Sequence, residues 1–311
     1  LTSLAPDGLG NVFFANSGSE ANETALKLAR KYTGRSGVVA MEEGWHGRTL
    51  GSLATTHDET YRTPYLDALP ETTWIPVGDL AAAEAVLSSE EVAAVILEPI
   101  QSIAGMKEIP ADYVQGLRAL CDEYGTLLIF DEVQTGVGRT GAFSMAEHFG
   151  EADASATPDL ISLAKSLGAG VPVSAVLVDD AVAETVESGD QGSTFGGGML
   201  AMAAVTATLE TLVENDLMTR ATEIHEQVVE RVGPVVEEVR GRGCLMGLKL
   251  DQPVAPVKEA LLDEGVLVGS SSDPHVMRLM PPLVVTDDDI RAFADALHAA
   301  LDTTVAPAEG A

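Results

Sequence analysis

Basic residues are scarce in this sequence. Lys and Arg number 18 against 48 Asp and Glu, which gives a formal net charge of −30. A nucleic-acid backbone requires a basic face on its protein partner, so this balance excludes nucleic-acid binding. An acid excess of this size in a folded, aromatic-poor chain is typical of a solvated surface suited to high salt, where self-repulsion is screened. We therefore predict a halophilic source.

Cysteine and long apolar runs are also lacking. Cys121 and Cys244 lie far apart, without His or Cys neighbours at metal-ligand spacing, so we predict two free buried thiols in a reducing compartment and no metal. No apolar run reaches the roughly 18 residues of a membrane helix, and no leader of secretory type opens the chain. These absences predict a cytoplasmic protein with no membrane partner. The first residue is Leu rather than Met, which suggests a fragment.

The 311 residues, 46% of them hydrophobic, are enough for a large and a small domain. Apolar runs that alternate with helical patterns predict a mainly parallel sheet covered on both faces. The predicted strands of this large domain are Val12–Phe14, Gly37–Met41, Val92–Leu97, Thr126–Phe130, Leu160–Ala164 and Ser174–Val178. The first predicted helix follows Ser19. The other predicted helices of this domain are Ala81–Leu87, Tyr113–Tyr124 and Leu200–Val213. The fold class is therefore α/β.

A compact α/β unit follows, so we place the domains at 1–214 and 215–311. The predicted elements are helices at Thr222–Val232 and Val257–Glu264 and strands at Cys244–Leu250 and Val276–Leu279. Thr286 and Asp289 form a capping box for a last helix. The Pro/Ala-rich tail Thr303–Ala311 is predicted to be frayed.

Two functional-looking residues stand at predicted strand ends. Asp131 follows the strand that ends at Phe130, and Lys165 follows the next strand. Ligands of open α/β sheets bind outside the carboxyl ends of the strands, so both side chains can face one molecule. Asp131 could keep a pyridine nitrogen protonated, and a desolvated Lys165 could react with a carbonyl. The non-functional alternatives are that Asp131 is a solvated surface acid and that Lys165 extends its amino group to solvent at the sheet edge.

Two glycine-containing stretches bear on phosphate binding. Asn16-Ser17-Gly18-Ser19 precedes a helix, where backbone N–H groups suit a phosphate, although the stretch alone favours an ordinary N-cap. Gly136 to Gly141 match G-x-G-x-x-G. A dinucleotide fingerprint needs its first glycine directly after a strand and a helix beneath its last, and both are missing here. We interpret this second stretch as a plain loop.

Four more residues are candidates for the site. Glu98 ends a strand, and Arg48 and Arg278 could each clamp a carboxylate, although surface ion pairs are the commoner fate of arginine. Trp45 could stack on a flat cofactor or fill the core. The neighbouring His46 has no evident second His or acid to pair with, so we predict an ordinary loop residue.

Taken together, the motifs resemble those of the class III pyridoxal-phosphate aminotransferases, the group of acetylornithine, ornithine and 4-aminobutyrate aminotransferases. The resemblance covers nearly the whole chain and implies PLP fold type I. Its motifs are Ser17–Asn22, Trp45–Thr49, Glu98–Gln101, Asp131–Gly141, Ala164-Lys165, Gly192–Gly197 and Arg278–Leu283. The family also has a substantial N-terminal segment that is absent here.

The resemblance implies a role for each site residue. Lys165 would hold pyridoxal 5'-phosphate through its amino group and move a proton, while Asp131 would pair with the ring nitrogen. The other implied cofactor-binding residues are Gly18, Ser19, Trp45, Glu132, Val133, Gln134 and Thr194 of the partner subunit of a homodimer. The implied substrate-binding residues are Arg48, Ser193, Arg278 and Glu98.

The substrates implied are an ω-amino donor such as N-acetylornithine and the acceptor 2-oxoglutarate, in a ping-pong reaction of arginine biosynthesis. One departure concerns Ile103, where many family members carry a glutamate that pairs with the arginine here numbered Arg278. 4-Aminobutyrate and ornithine aminotransferases are the alternatives among enzymes. From another class, a non-catalytic binding module on the same fold stays open.

Overall fold

The protein is described here from a computed structural model that covers residues 1–150 and 156–304. Its last helix continues through Thr304, and the rest of the tail that we predicted to be frayed lies outside the described residues. No helix in these two ranges is long and apolar enough to cross a membrane. Cys121 and Cys244 are free and buried, as predicted.

The large domain is organised around one seven-stranded sheet. In chain order, the strands of this domain are β1 Asn11–Ala15, β2 Gly37–Met41, β3 Thr73–Ile75, β4 Val92–Leu97, β5 Ile100–Gln101, β6 Lys107–Glu108, β7 Leu127–Asp131, β8 Leu160–Leu163 and β9 Ser174–Val178. The sheet order is β1-β9-β8-β7-β4-β2-β3, while β5 and β6 form a separate small hairpin. Only β9 runs antiparallel to its neighbours within this sheet. The predicted mainly parallel α/β sheet is confirmed.

Helices cover both faces of this sheet. They are α1 Gly18–Thr33, α2 Leu50–Ala54, α3 Glu59–Arg62, α4 Leu80–Leu87, α5 Ala111–Tyr124, α6 Ala146–Phe149, α7 Asp180–Ala183 and α8 Met199–Glu214. Every residue of β4 is buried, because apolar side chains on both faces pack against helices. Two core clusters lie on the two faces of the sheet. They hold its strand ends in fixed positions.

Helix α1 shows why its sequence folds as it does. Ser17 caps its start by accepting a hydrogen bond from the backbone N–H of Glu20, and Gly34 ends it in a left-handed conformation with φ of 70°. Ala21, Ala25 and Leu28 make the buried face. The helix therefore begins immediately at the edge of the sheet, at the carboxyl end of the parallel strands.

The small domain has its own core and an antiparallel sheet of order β10-β11-β13-β12. Its elements are α9 Leu217–Val232, β10 Glu238–Arg242, β11 Leu245–Lys249, α10 Val254–Asp263, β12 Gly269–Ser270, β13 Val276–Leu279 and α11 Asp287–Thr304. The predicted capping box is confirmed, since Thr286 and Asp289 exchange side-chain-to-backbone hydrogen bonds. The edge strands β10 and β12 had not been predicted.

The glycine-rich stretch Gly136–Gly141 is a loop, as predicted, and joins the two domains. A side chain at Gly138 would lie 2.6 Å from Cδ1 of Leu212, so only glycine fits there. The backbone of Arg139 accepts a hydrogen bond of 2.8 Å from the N–H of Cys244, and its guanidinium donates to the carbonyl of Pro281. This interdomain joint links the large domain to the segment just after β13.

Candidate active site

The carboxyl ends of the parallel strands and the start of α1 enclose a cavity of about 360 Å³. Among the residues that line it are eight that the sequence indicated, namely Gly18, Ser19, Trp45, Glu98, Asp131, Val133, Gln134 and Lys165. Parallel strands deliver their ends to the same edge of the sheet, which is why residues far apart in sequence meet here. The acid and the lysine therefore face one space.

Asp131 is the last residue of β7 and is 5% exposed. Its Oδ2 accepts a hydrogen bond of 2.7 Å from the side-chain amide of Asn22, and its Oδ1 accepts one of 3.1 Å from the backbone N–H of Val133. Donors of this kind stabilise a negative charge. They leave a fixed carboxylate that can hold a proton at a ring nitrogen.

His46 corrects one sequence interpretation. We predicted a loop residue without an acid to pair with, but Nδ1 of His46 lies 2.8 Å from Oδ2 of Asp131. The His46 ring is fully buried, and its Nε2 has no hydrogen-bond partner among the described residues. The prediction was wrong because the acid lies 85 positions away in sequence. Only the fold brings the two together.

Lys165 lies two residues after the end of β8, following Ala164, and has a positive φ of 42°. A positive φ is uncommon for a residue with a side chain and often marks a functional site. The side chain is exposed, and the protein around its amino group desolvates it in part. This desolvation lowers the pKa of Lys165, while Asp131 and Glu98 oppose the shift. A lowered pKa favours the neutral, nucleophilic amine.

Glu98 follows β4 and is 3% exposed. Its Oε1 accepts a hydrogen bond of 2.7 Å from the backbone N–H of Trp45. Burial, and secondly repulsion by Asp131, raise the pKa of Glu98 well above its ordinary value, although Trp45, Lys165 and Arg278 act in the opposite direction. Burial thus favours the protonated form of this carboxyl group more than it does for an exposed glutamate.

The N-terminus of α1 forms the phosphate-sized end of the cavity. The first N–H groups of a helix have no partner in the preceding turn and attract anions. Gly18 lies against Val133, so that a Cβ at position 18 would come within 2.9 Å of Cγ1 of that residue. Oγ of Ser19 accepts a hydrogen bond of 3.2 Å from the N–H of Arg48. Ser17, Gly18 and Ser19 line the cavity, so the start of α1 faces the space that a ligand would occupy.

An aromatic wall closes another side of the cavity. Trp45 is half-buried and meets Tyr61 edge to face, with 4.8 Å between the ring centroids. The guanidinium of Arg48 lies 4.0 Å from the centroid of Tyr61 and 5.1 Å from that of Trp45. Such contacts fix a cation against aromatic faces. Arg48 itself is exposed and lies beside the cavity wall.

Other predicted residues lie outside this cavity. The carboxylate of Glu132 is directed to the loop at residues 135–145, where it accepts hydrogen bonds from Thr135, Ser144 and the backbone of Met145. Oγ of Ser193 accepts hydrogen bonds from Asn16, at 3.1 Å, and from the backbone of Gly196. The structure does not bring Glu132 into the group that lines the cavity.

The exposed segment around Thr194 is apolar. Thr194 is exposed, and so are three large apolar side chains near it in sequence, with Phe195 77%, Met199 91% and Leu200 77% exposed. Large apolar side chains grouped on a surface mark an interaction site. The segment that carries Ser193 and Thr194 thus adjoins a surface suited to a partner.

Arg278 belongs to β13 in the small domain and is half-buried. Its Nε donates a hydrogen bond of 2.6 Å to the carbonyl of Ser270, and its Nη1 donates one of 3.1 Å to Oγ of Ser102. Burial lowers the pKa of Arg278, and the charge of Glu98 opposes this shift. The sequence had indicated neither serine, because no spacing pattern links them to an arginine.

Asn22, Tyr61 and Ser102 are further site residues that sequence reasoning missed. Asn22 lies on α1 within a quoted motif, but only the structure shows its amide contacting Asp131 and the carbonyl of His46. Tyr61 lies in a short helix with no hydrophobic periodicity to distinguish it. No cluster of His, Cys, Asp or Glu that could hold a metal is present in the described part of the chain.

Comparison with known proteins agrees with this geometry. Residues 1–301 match the family model described as aminotransferase class-III, and the chain belongs to that family. It is therefore a transaminase with an α/β fold of PLP type I, and pyridoxal phosphate is its cofactor. The site residues fit this group, since Lys165, Asp131 and the start of α1 face one cavity of suitable chemistry.

Similar proteins are found among aminotransferases of several organisms. The chain is 44% identical to the acetylornithine aminotransferase of Methanopyrus kandleri, over 96% of this chain and 77% of the relative. It is 43% identical to that of Mycolicibacterium smegmatis, over 94% and 74%. A solved structure of the ornithine aminotransferase from Toxoplasma gondii, partly occupied by PLP, has a TM-score of 0.85 and 30% identity, over 96% of this chain and 77% of that one.

Proposed function

We propose that this aminotransferase takes its amino group from an ω-amino donor of the N-acetylornithine type and passes it to 2-oxoglutarate in a ping-pong reaction. The acetylornithine aminotransferases at 44% and 43% identity support this donor. The observation that carries the chemistry is the single cavity shared by Lys165, Asp131 and the N-terminus of α1. 4-Aminobutyrate and ornithine remain the alternative donors.

The cofactor, when bound, supplies an electron sink that stabilises the negative charge left at carbon when a proton departs. Asp131 holds the proton on the ring nitrogen, with Asn22 and His46 fixing its carboxylate. Gly18 and Ser19 bind the phosphate through the start of α1. Val133, Trp45 and Gln134 line the same cavity, where Val133 and Trp45 would pack against the cofactor ring and Gln134 would donate to the hydroxyl oxygen that the ring carries.

Lys165 holds the cofactor and then moves the proton at the substrate carbon. Its lowered pKa suits both roles, because the neutral amine can bond to carbon and can accept a proton. The buried Glu98 lines the same cavity and contributes to substrate binding. Arg48 holds the distal carboxylate of the donor, with Ser193 nearby.

Arg278 binds the α-carboxylate of 2-oxoglutarate. Its planar guanidinium suits a bidentate carboxylate, and two of its nitrogens are already oriented by Ser102 and Ser270. Ile103 cannot supply a competing carboxylate. The acceptor end of the site is therefore open to an incoming acid at all times.

The proposal includes a homodimer in which Thr194 of one protomer reaches the site of the other. The exposed apolar side chains of Phe195, Met199 and Leu200 support it. Thr194 would then help to bind the phosphate. A place in arginine biosynthesis and a cytoplasmic location accompany the proposed donor as predictions.

The cofactor chemistry is tested by borohydride reduction of the holoprotein, followed by peptide mass mapping. We expect one pyridoxyl adduct, on Lys165, and none in Lys165→Ala. An adduct at another lysine would contradict the site. The donor is tested by adding N-acetylornithine, ornithine or 4-aminobutyrate without acceptor and following the visible absorbance of the cofactor. No change with any amine would exclude the proposed reaction and favour a non-catalytic binding module.

A further inference from the structure

Arg278 is held by two neutral acceptors. Nε donates to the carbonyl oxygen of Ser270 at 2.6 Å, and Nη1 donates to Oγ of Ser102 at 3.1 Å. Both acceptors engage nitrogens of one rigid, planar fork. Two such contacts fix the plane of the guanidinium before any substrate arrives.

The same guanidinium has no ion-pair partner in the described part of the chain. No carboxylate of residues 1–150 or 156–304 lies within ion-pair distance of it, and Glu98 acts on it only as a nearby charge. A half-buried cation without a counter-ion is costly. The positive charge of Arg278 can therefore be neutralised by a negatively charged group of a bound substrate.

Ser102 is itself firmly placed. It is fully buried and directly follows β5. The next carbonyl, that of Ile103, accepts hydrogen bonds of 2.8 Å and 3.0 Å from the backbone N–H and the hydroxyl of Ser272 in the small domain. These hydrogen bonds hold the β5–β6 turn in a fixed position relative to the small domain, next to the contact between Ser102 and Arg278.

We propose that Ser102 is a specificity-determining positioning residue, which orients Arg278 as a carboxylate receptor and so selects, among acceptors, those that carry a carboxylate on the reacting carbon. The inference rests on the proposed role of Arg278 in binding 2-oxoglutarate. Within the described residues, Nη2 has no hydrogen-bond partner and can donate to a carboxylate. An acceptor without that carboxylate leaves the cation uncompensated and binds less well.

A matched pair of acceptors isolates this effect. 2-Oxoglutarate and succinic semialdehyde share the same chain and the same distal carboxylate, and differ by the carboxylate on the reacting carbon. In Ser102→Ala we expect kcat/KM for 2-oxoglutarate to fall about tenfold, mainly through KM, because a hydrogen bond to a charged group is lost. The value for succinic semialdehyde should not change.

Ser174→Ala is the control, since Ser174 is also fully buried and its hydroxyl has no partner among the described residues. It should leave both acceptors unaffected. Ser102→Gly is the second variant, which removes the hydroxyl without leaving a methyl group, and should reproduce Ser102→Ala. Thermal melting of each variant shows whether it folds.

The binding affinity of unreactive carboxylates measures the same preference in the absence of turnover. We expect calorimetry to show that the wild-type holoprotein binds glutarate more tightly than butyrate, and that Ser102→Ala and Arg278→Ala both lose this preference. Equal losses for both probes, or an unchanged preference in Ser102→Ala, would overturn the inference. So would a wild-type protein without any preference, whereas borohydride labelling of Lys165 would still support the proposed function.

Discussion

Nδ1 of His46 lies 2.8 Å from Oδ2 of Asp131, at the oxygen that also accepts a hydrogen bond from Asn22. The acid proposed to hold the cofactor nitrogen is thus fixed by a buried imidazole from a loop of the large domain. We expect His46→Ala to weaken cofactor retention about tenfold, because a buried carboxylate loses a hydrogen-bond partner. Equilibrium dialysis of pyridoxal phosphate measures this. Retention equal to wild type would show that Asn22 and Val133 suffice.

A methyl group at Gly18 should impair the same site from the phosphate end. The new Cβ would lie 2.9 Å from Cγ1 of Val133, so either the side chain or the turn must move. We expect Gly18→Ala to cost about 1–3 kcal/mol of stability through overpacking and to weaken cofactor binding. Chemical denaturation and dialysis measure the two effects.

The double variant Gly18→Ala/Val133→Ala removes the clashing methyl groups and should recover much of the stability. Gly233→Ala is the matched control, since a Cβ there would meet only Cγ1 of Val229, at 3.9 Å. If Gly18→Ala behaved like Gly233→Ala, the close packing would have no energetic weight. Wild type, Gly18→Ala, Val133→Ala and the double variant together form a double-mutant cycle.

Glu132 should make stability depend on pH. Burial raises the pKa of Glu132 from 4.5 to about 7, against the hydrogen bonds from Met145, Ser144 and Thr135. Because the folded protein then binds the proton more tightly than the unfolded chain, stability falls as pH rises from about 4.5 to about 7. Such a shift corresponds to roughly 3 kcal/mol.

Glu132→Gln should flatten that part of the stability profile, since the amide can still accept and donate in the loop without titrating. Urea unfolding at a series of pH values between the ordinary and the raised pKa measures the difference. Parallel profiles for the variant and the wild type would contradict the assignment to Glu132. The Cys121 thiol, whose pKa burial raises to about 12, stays protonated throughout this range.

The proposed dimer can be disrupted at its exposed apolar surface. Leu200 is 77% exposed at the second residue of α8, next to the segment that carries Thr194. We expect Leu200→Asp to shift the protein to monomers in sedimentation velocity and to lower activity, because a charge at an apolar interface must be desolvated. Leu267→Asp, at a side chain 83% exposed in the small domain, should remain dimeric. A monomeric wild-type protein with full activity would exclude the shared site.

The acid excess predicts dependence on salt. With a net charge of −30, self-repulsion destabilises the compact state at low ionic strength, and added ions screen it. We expect the melting temperature to rise by several degrees between low and molar KCl, on the scale of a few kcal/mol. Equal melting temperatures across the series would contradict halophilic adaptation.

The elements of the large domain could be predicted because apolar runs with helical stretches between them leave few alternatives. Val92–Leu97 and Ser174–Val178 were predicted with the bounds that the structure has. Short edge strands such as Thr73–Ile75 and Glu238–Arg242 could not be predicted from the sequence, because their burial comes from neighbours that are distant in sequence. Strand direction at β9 likewise depends on tertiary pairing.

The site shows the same division. Asp131 and Lys165 stood out because each is polar at the end of an apolar run, and both line the cavity. His46 and Ser102 did not, because a side chain that positions another carries no periodic signal and its partner lies 85 or 176 positions away. Residues that line the ligand cavity can be recognised in the sequence when they follow an apolar strand. Residues that orient those side chains can be identified only once the fold is known.

The interdomain joint at Arg139 has a kinetic consequence. Its backbone binds Cys244 and its guanidinium binds the carbonyl of Pro281, three residues after Arg278. The acceptor's carboxylate receptor is thereby tied to the body that carries Lys165. A hinge motion that separated the domains would have to break these bonds first. These bonds favour a state in which the two ends of the site are already assembled when an acid arrives, so we expect acceptor binding to require little domain closure.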